Sequence, residues 1–206
     1  MKNNLMLAAC VVLAAACNNE TRQAVNDADS ANESKETTKN DSGLLNRDSS
    51  TATLGRTDTV STDKDGAEFL VRAAAGGRHE VTAARMGQEK GLSEDVKRFS
   101  GVLIRDHEAA NREVETMAGR RNVTLPAETA PEHADDMAKL QGNKFDRKYM
   151  DQMVSDHKKT IDLFEKYSDK TKDADIRAFI QKTLPVLHMH LDSAQAIEKI
   201  VKKVKR

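Results

Sequence analysis

Residues 100–117 read SGVLIRDHEAANREVETM, and their spacing decides the fold class. Ser100, Leu103, His107, Ala110, Val114 and Met117 recur at alternating steps of three and four. That spacing lines one face of an α-helix. Arg105, Glu108, Arg112, Glu113 and Glu115 fall off the stripe, so the stripe is the side that would be buried. Ser93 is a suitable N-cap, and Glu94 and Asp95 place acid in the first turn. The helix should run to about Arg121. VTLPAETAP, with Pro126 and Pro131, follows as a connector.

Working outward, three more segments carry the same period. Phe69, Ala73, Gly76, Glu80, Ala83 and Gly87 line a helix from about Asp65 to Lys90, with Gly91 as C-cap. Met150, Val154, His157, Ile161 and Phe164 line one from about Lys144 to Ser168. Ile176, Ile180, Thr183, Leu187, His190, Ala194, Ile197 and Val201 line the last, from about Lys172 to the lysine-rich end. Pro185 should kink that helix and free the Gln181 carbonyl. A short helix is expected over 132–140. Four long amphipathic helices with short turns predict an all-α fold, an antiparallel four-helix bundle over residues 63–206. The small residues of its first helix should allow close approach to a neighbour.

Composition agrees and excludes other classes. Aromatics are 3% of the 206 residues, Trp is absent and there are three Pro, which disfavours a β-sandwich. Lys plus Arg equals Asp plus Glu, 33 against 33, and the bundle segment keeps a near-balance of 27 to 25. Nucleic-acid binding, which needs a basic excess, is therefore not expected.

The amino terminus reads as an address. Lys2 is followed by LMLAACVVLAAA over residues 5–16, too short to span a bilayer. Residues 1–16 are expected to be a lipoprotein signal, ending in AAAC. Cys17 is the expected lipidated residue; Cys10 has too short an apolar run before it. Residues 17–62 then form an expected disordered tether, with eight acidic and five basic residues after the Cys and no aromatic. The expected location is the periplasmic side of the cell envelope, lipid-anchored at the outer membrane, since Asn18 is not the Asp that retains some lipoproteins inside. Both cysteines precede the bundle, so no disulfide framework is available to it.

Each stripe carries one ionisable residue near its middle: Glu80, His107, His157 and His190. Such groups are costly in a core unless partnered. Two arrangements fit them. One is a metal site of three imidazoles and a carboxylate, suited to zinc, iron or copper. The other is a buried hydrogen-bond network in which Glu80 accepts from the histidines. Counting from the turns, Glu80 and His107 differ in height by roughly 7 Å, as do His157 and His190. Asp106 and Asp156, each just before a stripe histidine in LIRDH and MVSDH, should turn towards neighbouring helices. His79, His133 and His188 should face solvent. No Glu-x-x-His, nucleophile–base pair, phosphate loop or triad pattern occurs, so enzymatic activity is not expected.

DGAEFLVRAAAGGRHEV, VKRFSGVLIRDHEAAN, LQGNKFDRKYMDQMVSDH and TLPVLHMHL occur in this order over residues 65–200. In these motifs the chain resembles domain-of-unknown-function family 4142, whose members are described as outer-membrane or secreted proteins. The resemblance implies a ferritin-like helical bundle and no particular activity. The leading functional expectation is a lipid-anchored binding or structural module. The alternative is a metal-binding, oxidative-stress protein using Glu80, His107, His157 and His190.

Overall fold

The structure is a computed structural model that describes residues 16–41, 60–127 and 134–204. Those residues are all-α: α1 (Ala16–Asp41), α2 (Lys64–Lys90), α3 (Glu94–Arg121), α4 (Ala134–Ala138), α5 (Gly142–Lys170) and α6 (Ala174–Lys203). The helices α2, α3, α5 and α6 form a helical bundle in which α2 packs on α3 and α5, and α6 packs on α5 and α3. Every stripe residue named above is buried or half-buried. Among the described residues, no helix is long and apolar enough to cross a membrane.

Capping explains where the helices begin, and it also locks the bundle ends. Asp63 caps α2 by accepting from the Gly66 amide at 2.9 Å. The same carboxylate accepts from Thr171 Oγ1 at 2.9 Å and from the Lys172 amide at 2.7 Å. One side chain thus joins the start of α2 to the α5–α6 turn. At the other end, buried Asp146 on α5 accepts from the Leu92 and Ser93 amides, each at 2.9 Å. The buried Arg121 grips Asp173, the N-cap of α6, through Nε at 2.6 Å and Nη2 at 2.8 Å. α3 stops at Asn122, whose φ of 54° is the left-handed conformation that ends helices.

The expected close approach occurs at Gly87. A Cβ there would lie 2.4 Å from Tyr149 Cζ and 2.5 Å from Ser100 Oγ. The Ser100 and Tyr149 hydroxyls hydrogen-bond at 2.8 Å beneath it. α6 continues through Pro185, which lies on its exposed side. Gln181 is exposed too, so water can satisfy the carbonyl that proline leaves without a partner.

The amino-terminal segment departs from expectation. Residues 17–41, expected to belong to a disordered tether, lie in α1, which docks on the end of the bundle through Asn32 and Lys35. Asn32 pairs with the Thr124 backbone in both directions, donating at 3.0 Å and accepting at 2.7 Å. Lys35 donates to the Asn122 carbonyl at 2.9 Å, and Ala28 is buried. Composition measures whether a segment can bury its own apolar surface; it does not count polar groups that a neighbouring loop will satisfy. Cys17 falls in the first turn of α1, but its side chain, Cys10 and residues 42–59 lie outside the described residues.

Candidate metal centre

The apolar core is divided in two. One cluster joins the first half of α2, the second half of α3, the second half of α5 and the first half of α6, around Phe69, Val114, Phe164 and Ile180. The other joins the opposite halves, around Ala83, Leu103, Met150 and Ala194. Between the clusters, each of the four helices contributes one polar stripe residue: Glu80, His107, His157 and His190, from 0% to 6% exposed. Apolar clusters flank this layer on either side.

The three imidazoles form a nearly equilateral triangle. Ring centroids are 5.5 Å apart for His107–His157, 5.3 Å for His107–His190 and 5.4 Å for His157–His190. One ring nitrogen from each lies within 4.8 Å of the others. One nitrogen of each ring nevertheless has no hydrogen-bond partner, so the rings do not satisfy one another.

Each ring is held from outside by one nitrogen. His157 Nδ1 donates to the Met153 carbonyl at 2.9 Å, one helical turn back. His190 Nε2 sits 3.0 Å from Asp106 Oδ2, reaching from α6 to α3. His107 Nδ1 lies 3.1 Å from Glu80 Oε2, an ion-pair contact without the alignment of a hydrogen bond. Glu80 Oε1 accepts from Thr160 Oγ1 at 3.1 Å and lies 3.9 Å from His157 Nδ1. The remaining nitrogens, His107 Nε2, His157 Nε2 and His190 Nδ1, are buried without a hydrogen-bond partner. Such orphans are rare in a folded core.

Burial also sets the protonation state. It holds the His107 imidazole below the usual histidine range, against the attraction of Glu80. It takes His190 down to about 4, outweighing the hydrogen bond that His190 donates to Asp106. Both rings are therefore neutral at pH 7, the form in which histidine ligates metals. Asp106 is lowered as well, but against burial rather than by it: burial alone would raise its carboxyl, and hydrogen bonds from Arg105 and His190 bring it below the usual carboxylate range. An ionised Asp106 holding His190 by the outer nitrogen fixes the tautomer that leaves the inner nitrogen's lone pair free.

The structure thus brings all four expected residues together but separates their roles. The roughly 7 Å height difference read from the turns does not keep Glu80 from His107. Three histidines form the group that could hold an ion, and Glu80 stands behind one of them as a carboxylate orienting its ring. Hydrogen-bond and ion-pair partners therefore surround a histidine group that could hold an ion, and Glu80 is not part of that group. Asp106 does turn to a neighbouring helix, and so does Asp156, 3.5 Å from His79 Nε2 on α2. That pairing corrects the solvent-facing expectation for His79, which is largely buried because Asp156 draws it against α5. His188 is exposed as expected, and His133 lies outside the described residues. Met153 and Thr160 went unread as partners; the position of Met153 four residues before His157 was the available signal for the first.

Solved structures with the same fold include CopM, described in apo, Cu(I)-bound, Cu(II)-bound and Ag-bound forms. The Cu(I)-bound form has a TM-score of 0.57 and 17% identity, covering 65% of this chain and 95% of that one. The apo form has a TM-score of 0.57 and 17% identity, covering 65% and 96%. A DUF305 fragment from Deinococcus radiodurans has a TM-score of 0.60 and 12% identity, covering 70% of this chain and 100% of that one. At these identities the likeness establishes the fold. No curated protein matches the chain. The family model "Domain of unknown function (DUF4142)" matches residues 51–197, and with most of its length so matched, the chain belongs to that family.

Proposed function

We propose that this protein holds a single transition-metal ion, copper foremost, between His107, His157 and His190, on a lipid-anchored module of the cell envelope. One observation carries the reading: each of the three buried imidazoles has a nitrogen without a hydrogen-bond partner, and the three rings bring one nitrogen each to within 4.8 Å of the others. A cation satisfies all three at once. It would also bring positive charge close to Glu80, whose neighbour His107 is kept neutral by burial. Ligand nitrogens around an ion at about 2.0–2.1 Å lie about 3.3–3.5 Å apart, so rings now within 4.8 Å need close only a little.

Imidazole ligands suit copper, zinc, iron and nickel. Copper is favoured because the CopM neighbours are described in Cu- and Ag-bound forms. Ferritin-type di-iron chemistry fits less well, because the ligand group contains no carboxylate and the chain has no Glu-x-x-His. We read the four long helices as an antiparallel, ferritin-like four-helix bundle, with holding rather than turnover as its task. Lipidation at Cys17 and an outer-membrane location remain part of this proposal, supported by the AAAC motif at the end of an apolar signal.

Elemental analysis of full-length native protein, purified without chelators, tests the metal. The expected content is near one ion per chain, lost on replacing any of the three histidines with Ala. Content below about 0.1 per chain would overturn it, since good sites hold transition metals through purification. Incorporation of labelled fatty acid, lost in Cys17→Ser but not in Cys10→Ser, tests the anchor.

A further inference from the structure

A cavity of about 40 Å³ adjoins the histidine layer. Its inner wall includes Glu80, His107 and Thr160, and its outer wall includes Gly76, Gly77 and Asn111. Both glycines are part-exposed, so the cavity reaches from the α2 surface to the polar layer. Its size selects what can use it. Organic ligands occupy pockets of roughly 300–1,000 Å³, whereas a water needs only about 10–15 Å³ of such space. A metabolite does not fit; a water or a bare ion does.

The two glycines differ. A Cβ on Gly77 would lie 2.0 Å from Asn111 Oδ1, so Gly77 lets Asn111 lie over α2. A Cβ on Gly76 would meet nothing within 4 Å. Helix interiors favour almost any residue over glycine, by up to about 1 kcal/mol for Ala. Packing therefore does not account for Gly76, while an opening does. Two of the cavity's lining residues carry buried atoms without a hydrogen-bond partner, Glu80 Oε2 and His107 Nε2.

We infer that the gap at Gly76 is the port through which the metal ion reaches the three histidines, with Glu80 as the carboxylate it meets first. This inference rests on the metal-site reading above. The other two histidines are more deeply buried than His107: His157 is 0% and His190 1% exposed. The port fills the role that a buried site requires, a path for an ion that sheds its water in steps, and Glu80 compensates part of that loss.

The test compares wild type with Gly76→Leu, both as full chains. The leucine would occupy the opening and should raise helix stability rather than lower it. Gly119→Leu is the control, since a Cβ there also meets nothing within 4 Å but the residue is remote from the cavity. Stopped-flow absorbance follows uptake of aquated Cu(II), and its later removal by EDTA. Blocking the port should slow both steps by at least about tenfold, well within the range over which association rates vary in a mutant series. Stoichiometry and the final spectrum should stay as in wild type, and Gly119→Leu should bind at the wild-type rate. A smaller slowing in Gly76→Leu overturns the port while leaving the metal site standing. Absence of Cu(II) uptake by wild type overturns both.

Discussion

Lowering the pH should weaken the metal-free protein well before its carboxylates titrate, and His190 allows the size to be worked out. Its pKa falls from 6.5 to about 4 in the fold, chiefly through burial. Unfolded chain therefore binds a proton that folded chain refuses across that window. The contribution to stability is level above pH 6.5 and declines as pH falls towards about 4. Between pH 7 and pH 5 the linkage relation gives a loss of about 1.8 kcal/mol from this one group. With a urea slope of about 2 kcal/mol per molar, the unfolding midpoint should drop by about 0.9 M. His107 is shifted in the same direction by the same cause and adds to the loss. Asp106 and Asp156, whose carboxyls are held below the usual carboxylate range, contribute only at more acid pH. The assay is urea unfolding of chelator-treated protein at pH 7 and pH 5, for wild type and His190→Gln. Glutamine keeps an N–H for Asp106 but has no proton to take up, so its midpoint should change much less. Parallel declines in the two proteins would refute the reasoning.

Other consequences follow from the same geometry. Asp106→Asn should leave the fold intact but weaken metal binding by about 10–100-fold, because His190 loses the carboxylate that fixes its tautomer; competition with a chromophoric chelator measures this. Gly87→Ala forces a methyl group against Tyr149 and Ser100 and should cost about 1–3 kcal/mol in urea unfolding. Gly119→Ala, with open space at the Cβ, should be neutral or stabilising by up to about 1 kcal/mol. Asp146→Ala strips the acceptor from the Leu92 and Ser93 amides and should cost about 1–3 kcal/mol, with hydrogen exchange fastest at that turn.

The proposed metal centre would combine two requirements that oppose each other in a core. Ligation needs lone pairs without competing donors, whereas folding needs every polar group satisfied. The bundle meets both by giving each imidazole an outer partner from a different source: a carboxylate from α2, a carbonyl of its own helix α5, and a carboxylate from α3. The inner nitrogens are left free. Without an ion the layer is a weak point between two apolar clusters, so metal binding should report directly on stability.

Periodicity alone determined much of this protein. Alternating steps of three and four fix which residue of each turn faces inward, because the helical repeat is set by backbone geometry rather than by context. Hence the all-α fold, the four helices α2, α3, α5 and α6 and the presence of Glu80, His107, His157 and His190 on buried faces were legible one segment at a time. What each of those residues does was not. Glu80 and the histidines share an environment but differ in distance by an ångström or two, and that depends on helix offsets no single stripe records. The docking of α1 was hidden for a related reason: Asn32 and Lys35 are ordinary polar residues until the backbone at 122–124 presents its unpaired groups to them. The opening at Gly76 is likewise a property of what neighbouring helices leave unfilled. Local sequence sets which way a side chain points; only tertiary packing sets how far it lies from its partner, and coordination and access both depend on that distance.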